Sequence, residues 1–477
     1  MTNNLGSQER PLRVAVIGSG PSGFYTVEAL LAAPLNISVD LFDRLPAPFG
    51  LVRYGVAPDH QKIKNVIKIY EKIATNPRFG FFGNLHVGKD VSVDELRKFY
   101  DAIIFACGAQ TDKRLGIPGE DLAGSHTATE FVAWYNGHPD YRDRKFDLSC
   151  EVAAIVGQGN VAMDVCRILC KTFDELKNTD ISQHALDVLA KSRIKEVHLI
   201  GRRGPVQASF TPPEIKEFGE LVNCDPVFDN LSDLELNPTS KIELEDLNYP
   251  IRRKNWEILQ EFARRPKSNK SKRFIIHFLK SPVELAGQGK VAKVIFEKNK
   301  LDGPPNEQKA QETGQKSELP CGIFFRSVGY RGVPIPGVPF DDKRGIFPNK
   351  DGRVFDGEKV VNGLYASGWI KRGPSGVIGT NKPDSVATVQ ALLADVGSLS
   401  SCAMPDQNAF IQFLNEKQIK FVNFIDWKKI DAAEIERGKP LGKPREKFVK
   451  VDEMLAAAGK ISQSRNLQER AFPSTVQ

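Results

Sequence analysis

Two segments of the chain share one local pattern: an apolar strand, a glycine-rich turn and an apolar helix. The first is LRVAVIGSGPSGFYTVEALL, with Gly18, Gly20 and Gly23 at G-x-G-x-x-G spacing. The second is CEVAAIVGQGNVAMDVCRIL, with Gly157 and Gly159, and with Ala162 where the third glycine would stand. Strand, turn and helix in this order open a βαβ unit with a parallel sheet. The first glycine makes the tight turn, the second lets a pyrophosphate approach the backbone, and the third lets the helix pack close to the strand. The anion then rests on the free amide N–H groups of the helix N-terminus. In the second unit the same turn runs through Gly157, Gln158, Gly159, Asn160 and Val161.

What each unit binds depends on the end of its second strand. In the first, ISVDLFD ends at Asp43, twenty residues after Gly23. A carboxylate there accepts hydrogen bonds from both ribose hydroxyls of an adenosine. In the second, VHLIGRRGP delivers Arg202 and Arg203 to the same place, after an insertion over residues 172–192. Paired guanidiniums complement the 2′-phosphate of NADP(H), which an aspartate would repel. The first unit therefore calls for a different adenine dinucleotide, with FAD the usual occupant. Two dinucleotide sites in one chain imply a hydride passing between cofactors.

With 477 residues the chain is too long for one hydrophobic core. The strand in FYDAIIFACGAQ closes the first unit, and IFFRSVGY marks a return to it. The expected fold is α/β, with two Rossmann-like dinucleotide-binding domains. Residues 1–112 and 331–477 form a discontinuous FAD domain, and residues 113–330 form an NADP domain inserted into it. Past the return, NGLYASGWIKRGPSGVIGTNK places Trp369 at a strand end beside a loop rich in Gly373, Gly376 and Gly379. Such a loop lets backbone amides approach a planar ring or a phosphate.

Composition narrows the class further. No stretch approaches the roughly 20 apolar residues of a membrane span. The N-terminal residues MTNNLGSQERPLRV have neither a secretory h-region nor a transit-peptide character, so a cytoplasmic location is expected. The seven cysteines have no metal-site or iron–sulfur spacing, and Cys166 and Cys170 read as core residues on one helix face. The net charge is +7, and residues 251–274 alone carry nine Lys/Arg against two Glu. That stretch suits an acidic partner. Nucleic acid is disfavoured, because no nucleic-acid module accompanies it.

Together GSGPSGFYTVEALL, PAPFGLVRYGVAPDH, VGQGNVAMDVCRIL, GRRGPVQASFTPPE and SGWIKRGPSGVIGT resemble the adrenodoxin-reductase-like ferredoxin–NADP+ reductases of the glutathione-reductase-type flavoprotein superfamily, in family order over nearly the whole chain. The N-terminal residues, by their character, and the GTNK segment look more like bacterial members than mitochondrial ones. The resemblance implies FAD contacts at Ser22, Asp43, Leu51, Val87, Trp369 and the Gly376, Val377 and Ile378 backbone. It implies NADP(H) contacts at residues 158–161, Arg202, Arg203 and Glu214, with Gly376 also near the nicotinamide. His60 and Asp164 resemble family residues near the flavin and are expected to tune it. Ser22 and Asp43 stand where alanine and glutamate are frequent.

The implied reaction is hydride transfer from NADPH to FAD, then one-electron transfer to an acidic ferredoxin-type iron–sulfur protein docked around residues 251–274. The chain has no cluster cysteines of its own, so the iron–sulfur centre belongs to a separate protein. A disulfide reductase would need a C-x-x-C or C-x-x-x-x-C pair, and neither occurs. The alternatives that stay open are an NADPH diaphorase or oxidase, or the reductase component of another electron-transfer system.

Overall fold

The computed structural model describes residues 4–228, 230–266 and 268–461. The chain divides into two compact units. Unit 1 comprises Met1–Val56, His60–Thr111 and Tyr330–Gln477, and unit 2 comprises Ala57–Asp59 and Asp112–Gly329.

Unit 1 begins with β1 (Leu12–Ile17), α1 (Pro21–Leu31), β2 (Ile37–Phe42), the single-turn α2 (Leu51–Tyr54), β3 (Phe79–Phe82) and β4 (Ala102–Phe105). Every residue of β1 is buried, as a parallel strand covered on both faces requires. Proline at the first turn of α1 fits a position whose N–H has no partner within the helix.

Unit 2 supplies β5 (Ser125–Thr127), β6 (Val152–Val156), α3 (Asn160–Cys170), β7 (Glu196–Ile200), α4 (Pro212–Glu217), β8 (Cys224–Val227), α5 (Pro238–Glu245), α6 (Pro250–Arg264), β9 (Lys272–His277), β10 (Lys280–Ala286), β11 (Lys293–Asp302), β12 (Lys309–Pro320) and β13 (Ile323–Arg326). The chain then returns to unit 1 for β14 (Asn349–Lys350), β15 (Arg353–Asp356), β16 (Lys359–Ala366), α7 (Asn381–Asp395) and α8 (Phe424–Gly438).

The unit 1 sheet has seven strands in the order β14-β15-β16-β4-β1-β2-β3. Its parallel core keeps β1 in register with β2 (Leu12 opposite Ile37) and with β4 (Val14 opposite Ala102). The unit 2 sheet has six strands, β5-β13-β6-β7-β9-β8. Helices pack on the face carrying Val197, Leu199, Phe274 and Ile276. The other face, with Ala154, Val156, Ile200 and Phe324, is covered by Leu285, Val294 and Phe296 of the antiparallel sheet β10-β11-β12. In both units the glycine loops emerge at the carboxyl edge of the parallel strands, where open α/β sheets bind ligands. The insertion over residues 172–192 contains two short helices, Phe173–Leu176 and Gln183–Leu189. Among the described residues no helix is long and apolar enough to cross a membrane.

Candidate active site

The first glycine loop joins β1 to α1. Gly18 has φ +109°, and a Cβ there would lie 2.5 Å from the Ala106 carbonyl oxygen. A Cβ at Gly23 would come within 1.9 Å of the Gly18 carbonyl oxygen, whereas at Gly20 it would meet nothing within 4 Å. The Cβ direction at Gly20 is therefore open. Helix α1 starts on Gly20 with no side-chain cap, which leaves its first N–H groups for an outside acceptor.

The second loop repeats this arrangement. Gly157 has φ +139°, and a Cβ there would clash with the Ser327 carbonyl oxygen at 2.2 Å. At Gly159 the nearest neighbour of a Cβ would be Ser209 Oγ, 3.8 Å away. Helix α3 starts on Gly159, again without a side-chain cap. Gln158 lies across Gly201, and its buried Nε2 has no partner among the described residues. Asn160 Oδ1 accepts the Thr211 N–H at 2.9 Å, which ties the loop to the start of α4. Val161 packs against the helix-side core. In each loop an open glycine backbone and an uncapped helix of eleven residues fit a bound diphosphate.

Asp43, just past β2, braces the first loop. Its Oδ2 accepts from Ser19 Oγ at 2.5 Å and Ser19 N–H at 3.3 Å, and its Oδ1 accepts from Leu45 N–H at 2.9 Å. Burial pushes its pKa up, opposed by those hydrogen bonds. Ser22 Oγ turns away from the loop to Ser367 Oγ at 2.8 Å, within a hydroxyl group that includes Ser385 on α7. Leu51 opens α2 and is exposed, while Val87 is buried.

Trp369 follows β16 and lies 5.3 Å, centroid to centroid, from Tyr330. Its Nε1 donates to the Ser375 carbonyl at 3.1 Å. Thr380 Oγ1 donates to the Val377 carbonyl at 2.7 Å, and Arg372 Nη2 donates to the Ser375 carbonyl at 3.1 Å. These bonds close the loop that carries Gly376, at φ +81°, and lead into Ile378. Gly376 and Val377 remain exposed.

In unit 2, Arg202 is exposed and Arg203 half-buried at the end of β7, and neither is in an ion pair among the described residues. The Arg203 pKa is lowered, first by burial and then by the charges of Arg202 and Arg252, with Glu243 opposing. A cluster of three arginines around one carboxylate keeps an excess of positive charge that an anion would neutralise.

Asp164 and Glu214 meet at a residue that motif reading does not single out. Arg167 is fully buried on α3, where it donates to Asp164 Oδ1 at 2.6 Å, to Glu214 Oε2 at 2.9 Å and to Asp59 Oδ2 at 2.8 Å. Glu217 lies 3.2 Å away, and Lys171 pairs with Asp59 at 2.7 Å. Burial opposes charge on Asp59, but Arg167 and Lys171 hold its pKa well below the usual carboxylate range. The available signal was an Asp/Arg pair at i,i+3 in the otherwise apolar run VAMDVCRIL. His60 belongs to unit 1 and opens the short helix Gln61–Lys64.

A family model for pyridine nucleotide-disulphide oxidoreductases matches residues 12–220. The NADPH-ferredoxin reductase FprA of Mycobacterium tuberculosis is 43% identical over 464 residues, spanning 94% of this chain and 99% of that protein. The mitochondrial NADPH:adrenodoxin oxidoreductase of Homo sapiens is 42% identical over 470 residues, spanning 96% of this chain and 94% of that protein. The chain belongs to the adrenodoxin reductase–FprA family. The solved structure of Mycobacterium tuberculosis FprA in complex with NADPH matches with a TM-score of 0.88 at 43% identity, covering 94% of this chain and 100% of that one.

Against this family frame, the basic stretch 251–274 is mostly occupied with its own fold. Arg252 pairs with Glu243 at 3.7 Å, Arg265 with Glu261 at 2.6 Å, and Arg273 with Glu196. Lys272 Nζ donates to the Leu169 carbonyl at 2.7 Å near the end of α3, and Lys270 Nζ donates to the Leu221 carbonyl at 2.8 Å. Lys267 lies outside the described residues. Arg253, Lys254 and Arg264 are exposed and make no side-chain hydrogen bond or ion pair among the described residues. Of the described basic residues in this stretch, only these three are left for a partner.

Proposed function

We propose that this chain is an NADPH-dependent flavoprotein reductase that passes electrons from NADPH, through FAD, to a ferredoxin-type iron–sulfur protein. The observation that carries this reading is the contrast between its two glycine-loop units. One second strand ends in a carboxylate, Asp43, and the other ends in two arginines without ion-pair partners. The names of the relatives, NADPH-ferredoxin reductase and NADPH:adrenodoxin oxidoreductase, agree with it.

FAD, when bound, supplies the exchange between two-electron and one-electron chemistry. The residues of this chain bind and orient. The α1 amides with Gly18, Gly20 and Gly23 receive the FAD diphosphate, and Asp43 receives the ribose while bracing Ser19. Leu51, Val87, Trp369 and the backbone from Gly376 to Ile378 complete that site, and Ser22 contributes packing. The α3 amides with Gly157, Gln158, Gly159, Asn160 and Val161 receive the NADP(H) diphosphate, and Arg202 and Arg203 receive the 2′-phosphate. Holding two reactive rings in place lowers the barrier by proximity, without covalent catalysis. Arg167 fixes both Asp164, which with His60 acts as a tuning group, and Glu214, which lies near the NADP(H). The acidic partner docks on Arg253, Lys254 and Arg264. Seven free cysteines support a reducing, cytoplasmic setting.

An anaerobic titration tests the reading. The purified protein should be yellow, should bleach much faster with NADPH than with NADH, and should be reoxidised by oxidised ferredoxin. A colourless protein that FAD does not turn yellow would overturn the Asp43 and Trp369 assignments. Bleaching without reoxidation by ferredoxin would keep the nucleotide sites and remove the partner.

A further inference from the structure

The turn that carries Arg202 and Arg203 is held by its backbone rather than by its side chains. Three consecutive carbonyls each accept one hydrogen bond from elsewhere in unit 2. The Gly201 carbonyl accepts from Lys280 N–H at 3.0 Å, and the Arg203 carbonyl accepts from Leu279 N–H at 3.1 Å. Between them, the Arg202 carbonyl accepts from Asn299 Nδ2 at 2.9 Å. Two of these three donors come from a tight corner between β9 and β10, where Leu279 sits at φ +55°. A leucine in the left-handed region persists only where its surroundings enforce it. Here Asn299 N–H donates to the Leu279 carbonyl at 2.7 Å.

Asn299 thus bonds to both sides of this arrangement, through its backbone to the corner and through its side chain to the arginine turn. It is 2% exposed, and the strand pairing of β11 with β12 shifts register between Glu297 and Asn299. The two extra residues of this irregularity lie on β12, where Lys316 faces Glu297 and Glu312 faces Asn299. Its second amide hydrogen goes to Ser281 Oγ at 2.8 Å. The amide orientation is fixed by chemistry: the Arg202 carbonyl can only accept, so the amino group must face it.

We propose that Asn299 is a specificity-determining positioning residue: by fixing the Arg202 backbone, it sets the direction in which Arg202 and Arg203 meet the adenosine 2′-phosphate. This rests on the assignment of those arginines above. Asn299 itself touches no nucleotide in this proposal. Its effect is therefore confined to ligands that carry the 2′-phosphate, whereas a purely structural role would weaken all adenosine ligands alike.

The test is calorimetric titration of the full-length protein with 2′,5′-ADP and with 5′-AMP. Asn299→Leu keeps the branched shape and removes the donor. It should weaken 2′,5′-ADP binding about tenfold, the equivalent of one hydrogen bond, and leave 5′-AMP binding unchanged. Ser281→Ala leaves the donor but frees its second hydrogen, and should shift the ratio of the two affinities less, in the same direction. Equal losses for both ligands, or no loss for either, would overturn the proposal. If Asn299→Leu does not fold, an unchanged ratio in Ser281→Ala overturns it. A wild-type protein with no preference for 2′,5′-ADP would instead remove the arginine assignment itself.

Discussion

Arg53 and Glu434, on α2 and α8, form an ion pair at 2.5 Å in which the two side chains are 3% and 0% exposed. The guanidinium carbon also lies 5.1 Å from the Trp427 ring centroid. The pair secures the PFGLVR segment, where Phe49 sits at φ +85° and donates its N–H to the Ser19 carbonyl of the glycine loop at 3.0 Å. Removing one partner strands a buried charge. Glu434→Ala should therefore destabilise the protein by about 3–5 kcal/mol. The double variant Arg53→Met with Glu434→Leu should recover most of that loss. Urea denaturation of the three proteins checks this, and additive effects of the two substitutions would contradict it.

Arg203→Ala should raise KM for NADPH by about tenfold to a hundredfold, the range for a lost charge-assisted hydrogen bond. KM for NADH, which lacks the 2′-phosphate, should hardly move. Steady-state kinetics with both nucleotides decides the matter. Equal effects would mean that Arg203 supports the turn and does not read the phosphate.

Charge reversal should separate the free cations from the occupied ones. Arg253→Glu should slow electron transfer to ferredoxin at low salt, and the deficit should shrink as ionic strength rises. NADPH reduction of the bound flavin should be unaffected. Lys272→Glu should instead lower the melting temperature, because Lys272 holds the Leu169 carbonyl near the end of α3. A rate defect in Lys272→Glu with unchanged stability would move the dock.

These contrasts show what is legible in a linear sequence. The glycine loops, Asp43 and the arginine pair could be read because each lies in a short segment whose spacing reflects one local geometry. The internal use of Arg252, Lys270, Lys272 and Arg273 could not, because their partners Glu243, Leu221, Leu169 and Glu196 lie elsewhere in the chain and composition records only charge. Arg167 was hidden for the same reason, since Asp59 and Glu214 reach it from distant segments. Asn299 was invisible because the carbonyls it holds, those of Arg202 and Leu279, belong to other segments of the chain.

His277 gives a prediction in pH. Lys280 can only donate, so its Nζ bonds to His277 Nδ1 at 3.3 Å. The remaining hydrogen on His277 Nε2 then faces His198 Nδ1 at 2.8 Å, and His198 Nε2 faces Glu196 Oε2 at 3.1 Å. Burial, with Lys280 and His198 adding to it, pushes the His277 pKa down to about 3 from 6.5. Between these values the unfolded chain binds a proton that the folded one refuses, so stability falls as pH drops through that window. His277→Gln should remove one proton from this slope, about 1.4 kcal/mol per pH unit. Urea midpoints measured from pH 7 to pH 4 would show it, and an unchanged slope would refute the assignment.

The third positions of the two glycine loops differ in whether they accept a Cβ. A Cβ at Gly23 would lie 1.9 Å from the Gly18 carbonyl oxygen and 3.2 Å from Leu41 Cδ1. Backbone cannot yield by that amount without opening the loop, so Gly23→Ala should cost the protein its FAD. In the second loop Ala162 is already accommodated, fully buried in the helix-side core. Ala162→Gly should cost about 1 kcal/mol of helix propensity, with some loss of packing, and should leave 2′,5′-ADP affinity within about twofold. Absorbance of the purified variants reports the first effect and calorimetry the second. A yellow Gly23→Ala protein with wild-type FAD affinity would show that the first loop can relax, and that close packing of α1 on β1 is not required for flavin binding.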